Sequence, residues 1–409
     1  MRLILDLAVN HTSSEHPWFQ TACGYLRSLE AGAEPDLNAC PYVDYYHFTR
    51  EQRGGFVPLG GTEWFYEARF WSGMPDLNLQ SDAVRSELEA VMRFWLERGA
   101  DGFRLDALTS YETDDFAAGL SFLTWLTGTA KAIRPEAYLV GEAWTDPASY
   151  AKYYESGIDS LFDFQFSGDS GVICSVVRGS RSAEVYAETL VGEQALFAQY
   201  NPDYINAPFY TNHDMARSAG YYAYDDGSKV KLALALNLLS PGSAFLYYGD
   251  ELGMKGSGKD ENKRAPMYWS EDKDAEGMCR GPEAMEIIRQ KFPPLSEQQT
   301  DPWSIWSYVR ACVRIRQSFP AIARGQTEYL QELSDERTLV LLRGRENPAL
   351  EPVLIAVNTG GEPVSVTLTG DAAAFKKLSA VLLTAEGEVT LKSGTLTLPP
   401  YAAAIVTKK

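Results

Sequence analysis

At 409 residues the chain can hold one large domain and at least one small one, each with its own core. Its 45% hydrophobic and 22% charged residues are ordinary for a soluble globular protein, while a formal net charge of -18 argues against a nucleic-acid or anionic-membrane partner, since phosphates would be repelled. The 5 cysteines are scattered without a CxxC pair, which favours reduced structural thiols over a disulfide framework or a zinc site. No apolar run reaches membrane-span length, and no signal-peptide pattern is present.

Arg2 to Val9 reads as the first strand and delivers Asn10-His11 at its end. From Ser14 to about Gln80 periodicity is lost among Gly, Pro and aromatic residues, Trp64, Phe70 and Trp71 included. A stretch this long in a compact domain is expected to be a subdomain of its own, a lid-like insertion beside a site. Ser81 reads as an N-cap, Val84, Leu88, Val91 and Trp95 as the apolar stripe of a helix, and Gly99 as its stop. Phe103 to Leu105 is too short for a helix and ends on a carboxylate, so it reads as a buried strand presenting Asp106 at its C-terminal mouth. Residues i and i+2 of a strand share a face, which sets the Arg104 guanidinium beside Asp106 and would hold that carboxylate ionised, as a nucleophile requires.

An apolar strand closing on a carboxylate recurs down the chain. Tyr138 to Gly141 ends in Glu142, Ala207 to Thr211 in Asn212-His213-Asp214, and Ala244 to Gly249 in Asp250-Glu251. The intervals are 36 residues from Asp106 to Glu142, 72 on to Asp214 and 36 on to Asp250, and the double interval holds its own strand at Ile158 to Phe166. One strand, one helix and two loops take roughly that length, so the chain reads as α/β, a series of strand-helix units of a parallel (β/α)8 barrel of the TIM type. Active sites of such barrels lie at the C-terminal strand ends, where Asp106, Glu142 and Asp214 would converge. Glu184 to Tyr200, Lys229 to Leu239 and Pro302 to Phe319 read as helices. Gly253 to Asp260 nearly matches a phosphate-binding Walker loop, but Asp260 stands where Ser or Thr should ligate magnesium, and a flexible loop over the barrel mouth explains the glycines better. Beyond Arg324, short strands beginning at Thr338, Val353, Val364, Leu378 and Ala402 read as an appended antiparallel β-sandwich.

Four segments, in this order, carry a family resemblance: Leu5-Asp6-Leu7-Ala8-Val9-Asn10-His11-Thr12-Ser13, Gly102-Phe103-Arg104-Leu105-Asp106, Val140-Gly141-Glu142-Ala143-Trp144 and Tyr210-Thr211-Asn212-His213-Asp214. They resemble the signature segments of the alpha-amylase family of glycoside hydrolases. Gly249-Asp250-Glu251-Leu252-Gly253 and Arg264-Ala265-Pro266-Met267 extend the likeness over nearly the whole chain. Met74-Pro75-Asp76-Leu77-Asn78 resembles the variant of members intermediate between oligo-1,6-glucosidases and neopullulanases.

The resemblance implies a retaining glycosidase acting on alpha-linked glucans or malto-oligosaccharides. It makes Asp106 the nucleophile and Glu142 the acid/base, with Asp214, His213, His11 and Arg104 binding the sugar in the reacting subsite. Transglycosylases of the family share every one of these residues, and a catalytically silent carbohydrate-binding relative is the further alternative. An oligosaccharide or polysaccharide is then the partner, and no cofactor is required. Asn10 resembles a calcium-binding position of some relatives, but Thr109-Ser110 stands where calcium-binding members carry Lys-His; a structural calcium stays open and no metal ligand is assigned. The first strand resembles the third of the family's barrel, so two strand-helix units are expected to be missing and about six strands to remain. The expected domains are a partial barrel over 1–13 and 81–324, the insertion over 14–80 and the sandwich over 325–409.

Overall fold

The computed structural model describes residues 1–222 and 224–409, in two compact units: Met1–Phe162 with Phe197–Tyr204, and Asp163–Leu196 with Ile205–Lys409. The first opens with β1 (Ile4–Leu7) and helix α1 (Pro17–Ser28), then a small antiparallel sheet of β2 (Phe48–Thr49), β3 (Phe56–Pro58) and β4 (Phe65–Glu67). Helix α2 (Asp82–Glu97), β5 (Gly102–Leu105), α3 (Phe116–Ile133), β6 (Tyr138–Gly141), the short α4 (Pro147–Tyr150) and β7 (Ser160–Asp163) follow.

β5 lies between β1 and β6, parallel to both. Leu7 and Gly141 both oppose Leu105, so the three strands end level and Asp106 and Glu142 leave the sheet at one edge. β7 joins β6 in parallel through Val140 and Gly141. Phe103, Leu105, Leu139 and Val140 are fully buried, the continuous apolar character of a parallel sheet covered on both faces. Gly102 is demanded by close approach: at φ 155 a Cβ there would stand 1.8 Å from the carbonyl oxygen of Tyr138.

Two expectations in this unit need correction. α2 is capped by Ser81 as expected, but its buried stripe is Val84, Leu88, Met92 and Leu96. Val91 and Trp95 are 38% and 44% exposed, because each sits one residue, about 100° of helix rotation, off that stripe. The insertion is also more regular than its composition suggests. In α1 the His16 Nδ1 accepts from the N–H of Trp18, Pro17 fills the first position, and Phe19, Ala22, Cys23 and Leu26 bury one face. A histidine cap and a cysteine in the stripe hid that helix.

The second unit contains α5 (Val172–Arg178), α6 (Glu184–Tyr200, whose last residues belong to the first unit), β8 (Ile205–Pro208) and α7 (Ser228–Leu238). Four further helices are α8 (Asp260–Lys263), α9 (Leu295–Gln298), α10 (Ile305–Ser318) and α11 (Ala321–Arg324). The strand expected over Ala244 to Gly249 is not continuous. Ser243 and Phe245 donate to Asn206 and Pro208, but the Phe245 carbonyl is then taken by the Asn237 amide and the Tyr248 carbonyl by Arg217, so side chains end the ladder. The glycine-rich stretch after Leu252 leads only into the four-residue α8, which opens with Asp260, and not into the long helix a Walker loop needs.

The C-terminal strands are β9 (Thr327–Tyr329), β10 (Thr338–Arg343), β11 (Val353–Asn358), β12 (Val364–Thr367), β13 (Lys377–Leu382), β14 (Thr390–Lys392), β15 (Thr395–Leu398) and β16 (Ala403–Thr407). They form a five-stranded sheet, β13-β16-β11-β10-β9, and a three-stranded sheet, β12-β15-β14, all antiparallel. Val340, Leu342, Leu354, Ala404 and Val406 share one core with Leu396 and Leu398 of the smaller sheet, while Leu339, Leu341, Ile355 and Ile405 pack with residues of α7 and α10. The central strands β10, β11 and β16 are thus buried on both faces, which is why they read as apolar runs.

Candidate active site

In the first unit the site grows from the register of β1, β5 and β6. β1 opposes Asp6 to Arg104, and Arg104 points along the face that carries Asp106. Its guanidinium gathers three carboxylates: Nη1 donates to Asp6 Oδ1 at 2.9 Å and to Asp106 Oδ1, and Nη2 reaches Glu142 Oε2 at 2.8 Å. Burial works against the Arg104 charge, but the Asp6 hydrogen bond and the charges of Glu142, Asp6 and Asp106 outweigh it and raise its pKa. The expected Arg104–Asp106 pair is therefore present. The reach to Asp6 and Glu142 was not foreseen, because it depends on which strands are neighbours.

The backbone pins the second carboxylate. Glu142 N–H donates to Leu105 O, and Leu108 N–H to Glu142 O, both at 2.9 Å. Ala107, directly after Asp106, is left-handed at φ 49, a conformation that costs a residue with a side chain, and its N–H points to Glu142 Oε2 at 3.5 Å.

His11 sits just beyond β1. Burial lowers its pKa and the Asp106 charge opposes that, while its Nδ1 has no hydrogen-bond partner among the described residues. The return segment of the insertion fixes this stretch: Leu77 N–H donates to Asn10 O and Thr12 N–H to Pro75 O, around a bridge between His11 and Asp76. Tyr111, which nothing in the sequence marked, is a buried phenol whose pKa rises well above the ordinary tyrosine value through burial and then the Asp106 charge.

The second unit builds a separate arrangement around Asp214. The Asn212 side chain accepts its N–H at 2.9 Å, Arg264 Nη2 pairs with Oδ1 at 2.9 Å, His213 Nε2 lies 3.2 Å from Oδ2, and Lys263 Nζ donates to its carbonyl at 2.9 Å. The loop carrying Lys263 and Arg264 hangs on the fully buried Arg217, whose N–H donates to Gly256 O and whose guanidinium donates to Lys263 O and Tyr248 O and stacks on Tyr247. Arg264 belonged to a noted motif, but neither Lys263 nor Arg217 did. Asp250, which shares the strand-end pattern, is only 1% exposed; it accepts from the Thr211 and Ser218 hydroxyls, and burial pushes it up to about 6.

At the calcium-like position, Asn10 Nδ2 donates to Asp76 Oδ1 at 3.1 Å, the Arg69 N–H donates to Asp76 Oδ2 at 3.0 Å, and burial pushes Asp76 up to about 6. Both residues line a cavity of about 470 Å³ shared with Glu67, Arg69, Glu112 and Asp114. Among the described residues no group of three His, Cys, Asp or Glu is arranged to hold a metal ion. Asn10 and Asp76 offer two side chains toward the six to eight oxygens that calcium takes, with backbone carbonyls or water left to supply the rest.

Comparison with known proteins gives the family. A model of the alpha amylase catalytic domain matches residues 1–325, and one of the alpha-amylase SusG C-terminal domain matches residues 347–405. Alpha-amylase 3 of Dictyoglomus thermophilum is 33% identical over 358 residues, covering 83% of this chain and 67% of that protein. The 4-alpha-glucanotransferase of Thermotoga maritima is 27% identical over 347 residues, covering 81% of this chain and 71% of its own. Among solved structures, Eubacterium rectale Amy13B superposes with a TM-score of 0.97 at 44% identity, over 100% of this chain and 79% of that one, and the fold is accordingly the alpha-amylase TIM-barrel type with C-terminal antiparallel sheets. The chain belongs to the alpha-amylase family of glycoside hydrolases.

Proposed function

We propose that this chain is a retaining glycosidase of alpha-linked glucans or malto-oligosaccharides, with Asp106 as nucleophile and Glu142 as acid/base. The observation that supports this most directly is the Arg104 guanidinium, which ties Asp106 to Glu142 at level ends of adjacent parallel strands. In the first step an Asp106 oxygen bonds to the anomeric carbon as the glycosidic C–O bond breaks, and the Glu142 carboxyl gives its proton to the departing oxygen. In the second, Glu142 takes a proton from water, whose oxygen bonds to the anomeric carbon and releases Asp106. Two inversions leave the anomeric configuration retained.

His11, neutral under the effect of its burial, and Arg104 are proposed to hold hydroxyls of the reacting sugar. Asp214 and His213 are given the same task, a role that rests on their motif. A structural calcium at the Asn10 position belongs to the proposal as well.

The test is hydrolysis of maltotriose by the protein and by Glu142→Gln. Loss of turnover in the variant supports the role, and near wild-type turnover sinks it. Transfer is the second reading, favoured by the likeness to a 4-alpha-glucanotransferase. There the glycosyl-enzyme passes to a sugar hydroxyl instead of water, so products longer than maltotriose would identify it.

A further inference from the structure

The two cations on Asp214 have another acid within reach. Lys263 Nζ also donates to Asp260 Oδ1 at 2.8 Å, and Arg264 Nη2 lies 3.8 Å from Asp260 Oδ2. Long cationic side chains lose entropy when they hold one geometry, and Asp214 is only half-buried, so the choice of Asp214 has to be made by the backbone that carries them.

That backbone is fixed on both sides of Arg264. Lys263 O accepts from Arg217 Nε at 2.9 Å and from the Tyr247 hydroxyl at 3.1 Å, while Ala265 O accepts from the Tyr248 hydroxyl at 2.7 Å. The phenol rings that supply those hydroxyls lie against one guanidinium, with Arg217 Cζ at 4.5 Å from the Tyr247 centroid and 4.7 Å from that of Tyr248. Arg217 Nη1 donates to Tyr248 O at 2.6 Å, and the Arg217 N–H to Gly256 O, earlier in the same loop, at 2.9 Å. The fit leaves no slack: at Gly249, with φ 87, a Cβ would stand 2.9 Å from Arg217 Nη1.

A guanidinium is costly to bury, and a planar fork that meets several carbonyls at once is what offsets the cost here. Arg217 follows Asp214 by three residues, so one side chain ties the turn that carries the acid to the loop that carries its cations.

We propose that Arg217 is a positioning residue for Asp214: with Tyr247 and Tyr248 it clamps the carbonyls flanking Arg264 and so keeps Lys263 and Arg264 on Asp214 rather than on Asp260. Its effect on turnover rests on the reading of Asp214 as a residue that holds the reacting sugar.

The test places two variants in two backgrounds and reads kcat/KM for maltotriose. Arg217→Lys keeps the charge but not the fork, and should lose about 10²-fold. Tyr247→Phe removes one donor to Lys263 O and leaves the stack, and should lose roughly 5-fold. In a Lys263→Met/Arg264→Met background no cation is left to position, and each should cost less than about 2-fold. The same loss in both backgrounds, which a merely structural role would give, overturns the proposal, as does no loss in the first; Tyr247→Phe decides it where Arg217→Lys does not melt cooperatively. A wild type that cleaves no glucan would refute the reading of function, and crystal structures would then decide the clamp. The Arg264–Asp214 pair should be open in Arg217→Lys and in Gly256→Ala, whose new Cβ would stand 2.1 Å from Asn262 O, and a pair intact in either overturns the proposal.

Discussion

Asp106 and Asp250 each follow a short apolar run, and the sequence pattern treats them alike, yet the two units of the molecule handle them in opposite ways. In the first unit Asp106 shares the Arg104 guanidinium with Asp6 and Glu142. In the second, Asp250 is sealed from solvent, held by two hydroxyl groups and pushed toward its neutral form by burial. Elsewhere in the second unit, Asp163 accepts from the Asn206 amide at 2.7 Å, and Glu193 has its pKa raised well above the ordinary carboxyl value by burial and then by the charge of Asp163. A carboxylate given a cation and an open side is equipped for chemistry; one given hydroxyls and burial is equipped to hold loops together.

The largest expected effect separates the two directly. Asp106→Asn should lower kcat on maltotriose by at least about 10⁴-fold while the protein still melts cooperatively, whereas Asp250→Asn should keep most of its activity. The reverse outcome would break the comparison.

Next comes the cation. Arg104→Met should cost on the order of 10²- to 10³-fold in kcat and about 3 kcal/mol of stability, because three carboxylates lose their common partner. Steady-state kinetics and the midpoint of urea unfolding read the two effects, and a variant with normal activity would show that the guanidinium only fills space.

The third effect is one of pH. The folded pKa of Asp250 is raised, so its stabilising, protonated form is fully present below the unfolded value of about 3.9 and its contribution is lost as pH rises through about 6. That loss is roughly 3 kcal/mol. The melting temperature of the wild type relative to Asp250→Asn should therefore be higher at pH 4.5 than at pH 7.5, and an unchanged difference would contradict the assignment. Glu193 follows the same sign. Glu193→Gln should lie within about 1 kcal/mol of wild type at pH 5 and gain on it toward pH 8, read from the same melts.

How far the sequence reached depended on how local each feature is. β5 and β6 with their terminal carboxylates were legible because strand, glycine and acid lie within a few residues, and the Arg104–Asp106 pair because it needs only alternation along one strand. The contacts of Arg104 with Asp6 and Glu142 were not legible, since they follow from inter-strand register. Helix α1 was lost among aromatic residues. The run from Ala244 to Gly249 had strand composition, but Asn237 and Arg217 take its carbonyls. Arg217 itself, which carries the loop of Lys263 and Arg264, looks in sequence like any arginine after a turn.

The most direct test of the central claim, that Asp106 rather than another strand-end acid forms the glycosyl-enzyme, is to trap that intermediate with an activated fluoroglucoside and map the labelled peptide by mass spectrometry. The account predicts one adduct, on the peptide containing Asp106, absent from Asp106→Asn and present in Asp250→Asn. A label on Asp214 or Asp250 instead would contradict it.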